Sequence, residues 1–132
     1  MTVQLIQSYY RAFNGRDYTG MLALVSDDVV HDVNEGGREV GRDRFAAFLE
    51  AMDAAYSEQV DELVVLGNGA GRRFAAEFTV IGRYLQSQPG FPPATGQRYR
   101  LAAGAFFTVD EHKISRVSTY YNLRAWLRQV GG

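Results

Sequence analysis

Val3, Ile6, Tyr10 and Phe13 recur at helical spacing, with Leu5 and Tyr9 beside them, so the pattern predicts an opening amphipathic helix. Thr2 can cap it, and Asn14-Gly15 is a plausible stop. Asp17 can cap a second, shorter helix with the stripe Tyr18, Met21, Leu22 and Val25, ended by "SDD". A short strand from Val29 to Asn34 is expected next. Phe45, Phe48, Leu49, Met52 and Tyr56 then fit the period of a third amphipathic helix.

The second half changes period. Four strands are expected in "EQVDELVVL", "RRFAAEFTVIGRYL", "RYRLAAGAFFTV" and "KISRVSTYYNL". "GNGAG" and "DEHK" supply hairpin turns, whereas "QSQPGFPPATGQ" holds all three prolines and predicts an irregular surface loop that could cover an opening. "NLRAWLRQV" can close the chain as a short helix with Trp126 and Leu127 docking. Helices gathered before antiparallel hairpins imply an α+β fold.

With 132 residues and 46% apolar composition, one domain spanning 1–132 is expected. A net charge of −1 offers no footprint for nucleic acid or an anionic membrane. No run has membrane-spanning length and no signal-like segment opens the chain, so a soluble cytoplasmic protein is expected. Zero cysteines excludes disulfides, thiolate metal sites and thiol nucleophiles. His31 and His112 are the only histidines, and His112 lies in a charged turn, so no metal site is expected. Neither a phosphate loop nor a dinucleotide fingerprint is present, since "GNGAG" opens no helix; no cofactor is implied.

The segments "YYRAFNGRDYTGMLALVSDDVVHDVN", "GRDRFAAFLEAM", "FAAEFTVIGRY" and "GAFFTVDEHKISRVSTYYN", in that order, resemble the nuclear transport factor 2-like superfamily. The resemblance is to its ketosteroid isomerase-related and SnoaL-like polyketide cyclase members, including a steroid delta-isomerase-related group. It implies a cystatin-like cone, with three helices packed in the concave face of a strongly curved mixed or antiparallel sheet. It also implies a hydrophobic small-molecule ligand and a homodimer formed through the convex sheet face.

Ketosteroid isomerases move a proton α to a carbonyl with a carboxylate base, while a Tyr and a protonated Asp hold the oxyanion. By the same resemblance, Tyr9 matches the oxyanion tyrosine, Val33 falls where the base should be, and Gly104 falls where the second acid should be. Steroid isomerisation of the usual kind is therefore not expected. Asp32, one residue from the base position, would face the pocket only through a bulge or a changed register. His31 shares a strand face with Val29 and Val33 and titrates near neutral pH, so His31, Tyr9 and Asp32 form the candidate catalytic set. Alternatively, His31 is a structural hydrogen bonder, and Asp32 and Asn34 satisfy the "EGG" turn.

Asn34, Phe78, Val80, Tyr84, Phe106 and Tyr121 are the candidate ligand-binding residues. Glu77 reads as an outward partner for an arginine. Ala105, Phe107, Val109, Ser118 and Tyr120 are expected on the opposite, dimerising face. The resulting expectation is proton transfer, isomerisation or cyclase-like chemistry on an apolar molecule, with a ligand carrier or sensor, or a structural dimerisation module, as alternatives.

Overall fold

The computed structural model describes residues 3–131, which leaves the Thr2 cap outside the described residues. Helices α1 (Val3–Asn14) and α2 (Tyr18–Ala23) precede strands β1 (Val25–Asp32) and β2 (Arg38–Val40). Then come α3 (Arg42–Ala55), β3 (Tyr56–Gly67), β4 (Arg73–Tyr84), β5 (Arg98–Asp110), β6 (Lys113–Tyr121) and α4 (Leu123–Val130). The strands form one sheet in the order β2-β1-β6-β5-β4-β3, antiparallel except where β1 pairs with β6.

This arrangement corrects the expected strongly curved, cystatin-like cone. Among the described residues there are four helices, the closing one falling where the "NLRAWLRQV" segment predicts it, and the sheet is open and not strongly curved: β2 and β3 end the strand order and share no ladder. Closure would require those two edges to pair, and a three-residue β2 has too few backbone groups to zip onto a twelve-residue β3. The fourth helix is integral to the packing. Trp126 on α4 is 4% exposed and forms a second core with Tyr84, Tyr99 and Leu101, apart from the main core under α1.

Local chemistry explains several boundaries. The Asp17 side chain accepts from the Gly20 N–H and starts α2, as capping requires. Val25 leaves the helical stripe expected for it and begins β1, where it is completely buried. Glu111 and His112 both adopt positive φ, the geometry of a tight hairpin turn. The Asn14 side chain clamps α1 to β3 twice, donating to the Val60 carbonyl and accepting from its N–H. Just beyond, Glu62 has φ of 56° where the β3–β4 register shifts, which marks a bulge.

The sheet therefore has a helix-covered face and an open face. Directly opposed residues in a ladder share a face, and Phe78, at 5% exposure, pairs with Ala103. Consequently Tyr99, Leu101, Ala103, Ala105, Phe107 and Val109 all turn toward the helices. The expectation for β5 is thus reversed. Phe106 lies on the open face, 46% exposed and 5.8 Å from the Tyr120 ring, whereas Ala105, Phe107 and Val109 are fully buried inside. The physical reason is that "LAAGAFFTV" is apolar at both parities, so alternation cannot choose a face.

Candidate functional site

Between α1, α3 and the helix-covered face lies a cavity of about 350 Å³. Its wall is mainly aromatic and aliphatic, with Phe45 and Phe48 from α3 opposite Phe78 and Val80 from β4. The amphipathic stripe of α1 points Tyr9 and Tyr10 into the same space, where their rings meet edge-on at 5.2 Å. Burial pushes both hydroxyls above their ordinary pKa, so they stay protonated and are donors at neutral pH.

His31 reaches this cavity from β1. It is 5% exposed, with its ring 5.0 Å from Phe45 and 4.4 Å from Phe48. Nδ1 is buried without a hydrogen-bond partner among the described residues and faces the Glu39 carboxylate at 3.8 Å. Glu39 Oε1 is likewise buried and unbonded. The register accounts for the encounter, because His31 and Glu39 are directly paired across β1 and β2. Burial lowers the His31 pKa, and the Glu39 charge opposes it, so the imidazole is neutral near pH 7 with a carboxylate behind it.

Beside His31 and Val33, Asn34 lines the cavity as well. Its Oδ1 accepts from the Tyr121 N–H at 3.2 Å, while Nδ2 is buried without a partner among the described residues. Tyr121 continues the wall toward Glu58, and burial raises the Tyr121 pKa. His31, Tyr9, Asn34, Phe78, Val80 and Tyr121 are thereby brought together.

Asp32, Tyr84 and Phe106 are not. Asp32 lies across the sheet, bonded to the Arg38 Nε at 2.7 Å and to the Ser118 hydroxyl, with Arg116 at 3.7 Å. Strand alternation sends it opposite to His31, and no bulge reverses it. Arg38 and the other partners hold its carboxyl down at about 2, so it is a fixed anion rather than a proton carrier. Tyr84 is buried in the second core; its hydroxyl donates to the Pro92 carbonyl and accepts from the Gln88 N–H, pinning the proline-rich loop. That loop brings Phe91 to the cavity against Trp126, 5.2 Å between rings. Phe106 is excluded by the β5 register.

The helix-first order, the six-stranded sheet and the cavity under α1 find their counterpart in one family. The SnoaL-like domain matches residues 6–117.

This chain belongs to the SnoaL-like domain family, within the nuclear transport factor 2-like superfamily. The SnoaL-like chain is 51% identical to a proposed polyketide cyclase of Pseudomonas putida KT2440, with a TM-score of 0.96 and 98% of each chain covered. Another proposed polyketide cyclase, from Xanthomonas campestris pv. campestris, is 47% identical at a TM-score of 0.94, covering 96% of this chain and 94% of that one. A third, from Silicibacter sp. TM1040, is 45% identical at a TM-score of 0.96, covering 98% and 94%. No curated protein matches.

Sequence reasoning missed two carboxylates of this SnoaL-like domain, Glu39 and Glu58. Glu39 sits in the short β2, which carries no alternation to read. Glu58 had a signal: Gly82, a glycine within a strand, marks a place where something packs close to the backbone. Among the described residues no helix is long and apolar enough to cross a membrane.

Proposed function

We propose that the cavity binds a mainly apolar small molecule and that His31 transfers a proton on it. The observation that carries this reading is a buried imidazole in an apolar wall, with the Glu39 carboxylate 3.8 Å behind its Nδ1. In this role Nε2 removes a proton from a carbon made acidic by a neighbouring carbonyl. Glu39 stabilises the imidazolium that forms, and the Tyr9 hydroxyl donates to the oxygen on which charge develops. The 45–51% identical relatives, proposed polyketide cyclases, favour a carbonyl-bearing substrate and cyclase-like chemistry.

The test is turnover of poly-β-carbonyl aromatic precursors by the wild type and by His31→Gln. The variant should retain ligand-induced thermal stabilisation and lose turnover and its pH dependence. Unchanged turnover in His31→Gln would remove the histidine from the mechanism. The second reading is a non-catalytic ligand carrier, favoured by Val33, an apolar residue at the cavity position where a base carboxylate would be expected. It predicts the same stabilisation with no turnover by either protein.

We further propose that two copies associate through the open sheet face. Leu66, Phe106 and Tyr120 are 65%, 46% and 55% exposed there, an apolar surface that a second copy would cover.

A further inference from the structure

Glu58, Gly82 and Tyr99 lie in one row across three strands: Glu58 pairs with Gly82, and Gly82 with Tyr99. A Cβ on Gly82 would stand 2.5 Å from Tyr99 Cζ, so the tyrosine ring lies across the bare backbone of β4. By crossing it, the Tyr99 hydroxyl reaches β3 and donates to Glu58 Oε2 at 2.5 Å. Trp126 covers the ring from α4, 6.0 Å away, and leaves Tyr99 4% exposed. Three elements thus hold one carboxyl in place at the cavity wall.

Glu58 Oε1 has no hydrogen-bond partner among the described residues, and no cation neutralises the group. Arg16 shares an adjoining cleft with Glu58 but is held by Asp53 at 2.6 Å. The other titratable groups facing Glu58 are Tyr56 on its own strand, Tyr99 on β5 and Tyr121 at the end of β6, none of which is a cation. A half-buried carboxyl at the cavity wall, with one anchored and one free oxygen, is arranged to address something that enters the cavity.

We propose that Glu58, anchored by Tyr99 over Gly82, is a ligand-binding residue that donates a hydrogen bond from its free oxygen to a carbonyl oxygen of the substrate. The inference rests on the cavity being a ligand site, as proposed above, and it adds a specific demand on the ligand. An apolar molecule must carry a carbonyl group at the Glu58 end. Burial raises the carboxyl's pKa, only partly offset by the Tyr99 hydrogen bond, which favours the protonated donor form.

Titration with 2-acetylnaphthalene and 2-ethylnaphthalene, which differ in the carbonyl, tests this in the full chain. The wild type should prefer the ketone by about three- to tenfold, the worth of one neutral hydrogen bond, and the preference should fade as rising pH ionises Glu58. Glu58→Gln keeps a donor, so its preference should persist without pH dependence; Glu58→Leu should bind both compounds equally. Infrared difference spectra at neutral pH should show a protonated-carboxyl C=O stretch in the wild type that is missing from Glu58→Gln. Equal affinity of the wild type for both compounds overturns the inference while leaving the ligand site standing. So does an unchanged ketone preference in Glu58→Leu, or stronger binding of 2-naphthylmethylammonium, which would reveal an ionised carboxylate. Failure of every compound to bind overturns the ligand-site reading together with this one.

Discussion

Gly82→Ala is a single methyl added to a strand, yet the geometry assigns it a large cost. The glycine does not have a positive φ, so alanine should fit the backbone and on entropic grounds gain about 0.4–1 kcal/mol. Against that, the new Cβ would lie 2.5 Å from Tyr99 Cζ and 2.6 Å from its hydroxyl oxygen. The ring must move, in a core where Tyr99 is packed by Trp126, and such overpacking costs about 1–3 kcal/mol. Moving the ring also breaks the Tyr99–Glu58 hydrogen bond and leaves buried groups unpaired, a further penalty of about 1–3 kcal/mol. The net expectation is a destabilisation of about 1–5 kcal/mol, measured as a fall in urea midpoint at constant slope. In a Tyr99→Leu background there is no ring to displace, so the same substitution should be neutral or slightly stabilising and the cycle should show a coupling of about 2–6 kcal/mol, the sum of the two ring-dependent penalties. Additive effects within about 0.5 kcal/mol would refute the crossing-ring arrangement.

Asn14→Ala should cost about 1–3 kcal/mol in denaturant unfolding, since it strips partners from both the N–H and the carbonyl of the buried Val60. Asn14→Asp, which keeps an acceptor for the N–H but no donor for the carbonyl, should fall between it and the wild type. The His31 and Glu58 contributions to stability should have opposite pH slopes. The folded His31 pKa is depressed, so its contribution is present above about 6.5 and is lost as pH falls and the unfolded chain takes up the proton first. The folded Glu58 pKa is raised, so its contribution is full below about 4.3 and declines as pH rises through the folded pKa. Unfolding free energies of the wild type, His31→Gln and Glu58→Gln across pH 4–8 separate the two, and parallel curves for all three would contradict both assignments. Phe106→Glu, placed on an exposed side chain, should leave the fold intact and halve the mass seen by sedimentation; an unchanged mass would move association away from the open face.

The legible parts of this protein were those with one dominant period. The α1 stripe of Ile6, Tyr9 and Tyr10 specified a helix and its buried face, and Phe78, Val80 and Tyr84 specified the inward parity of β4. His31 followed from its separation of two residues from Val29, since alternate strand positions share a face. The same alternation sent Asp32 outward to Arg38 and Ser118.

Sequence alone therefore determined the order of the elements apart from the short β2, the membership of the SnoaL-like family and the polar stretch that enters the cavity. These are local properties: periodicity, caps and turn chemistry act over a few residues. Tertiary structure decided which face of the doubly apolar β5 is inside, because only pairing with Phe78 sets that parity. It also decided that the sheet stays open, since closure depends on how two strands distant in sequence meet. It brought Glu39 behind His31 and stretched Tyr99 over Gly82 to Glu58, contacts made by ladder registers. A register is a choice among competing long-range pairings, and its energy is spread over whole strands rather than written in any one segment.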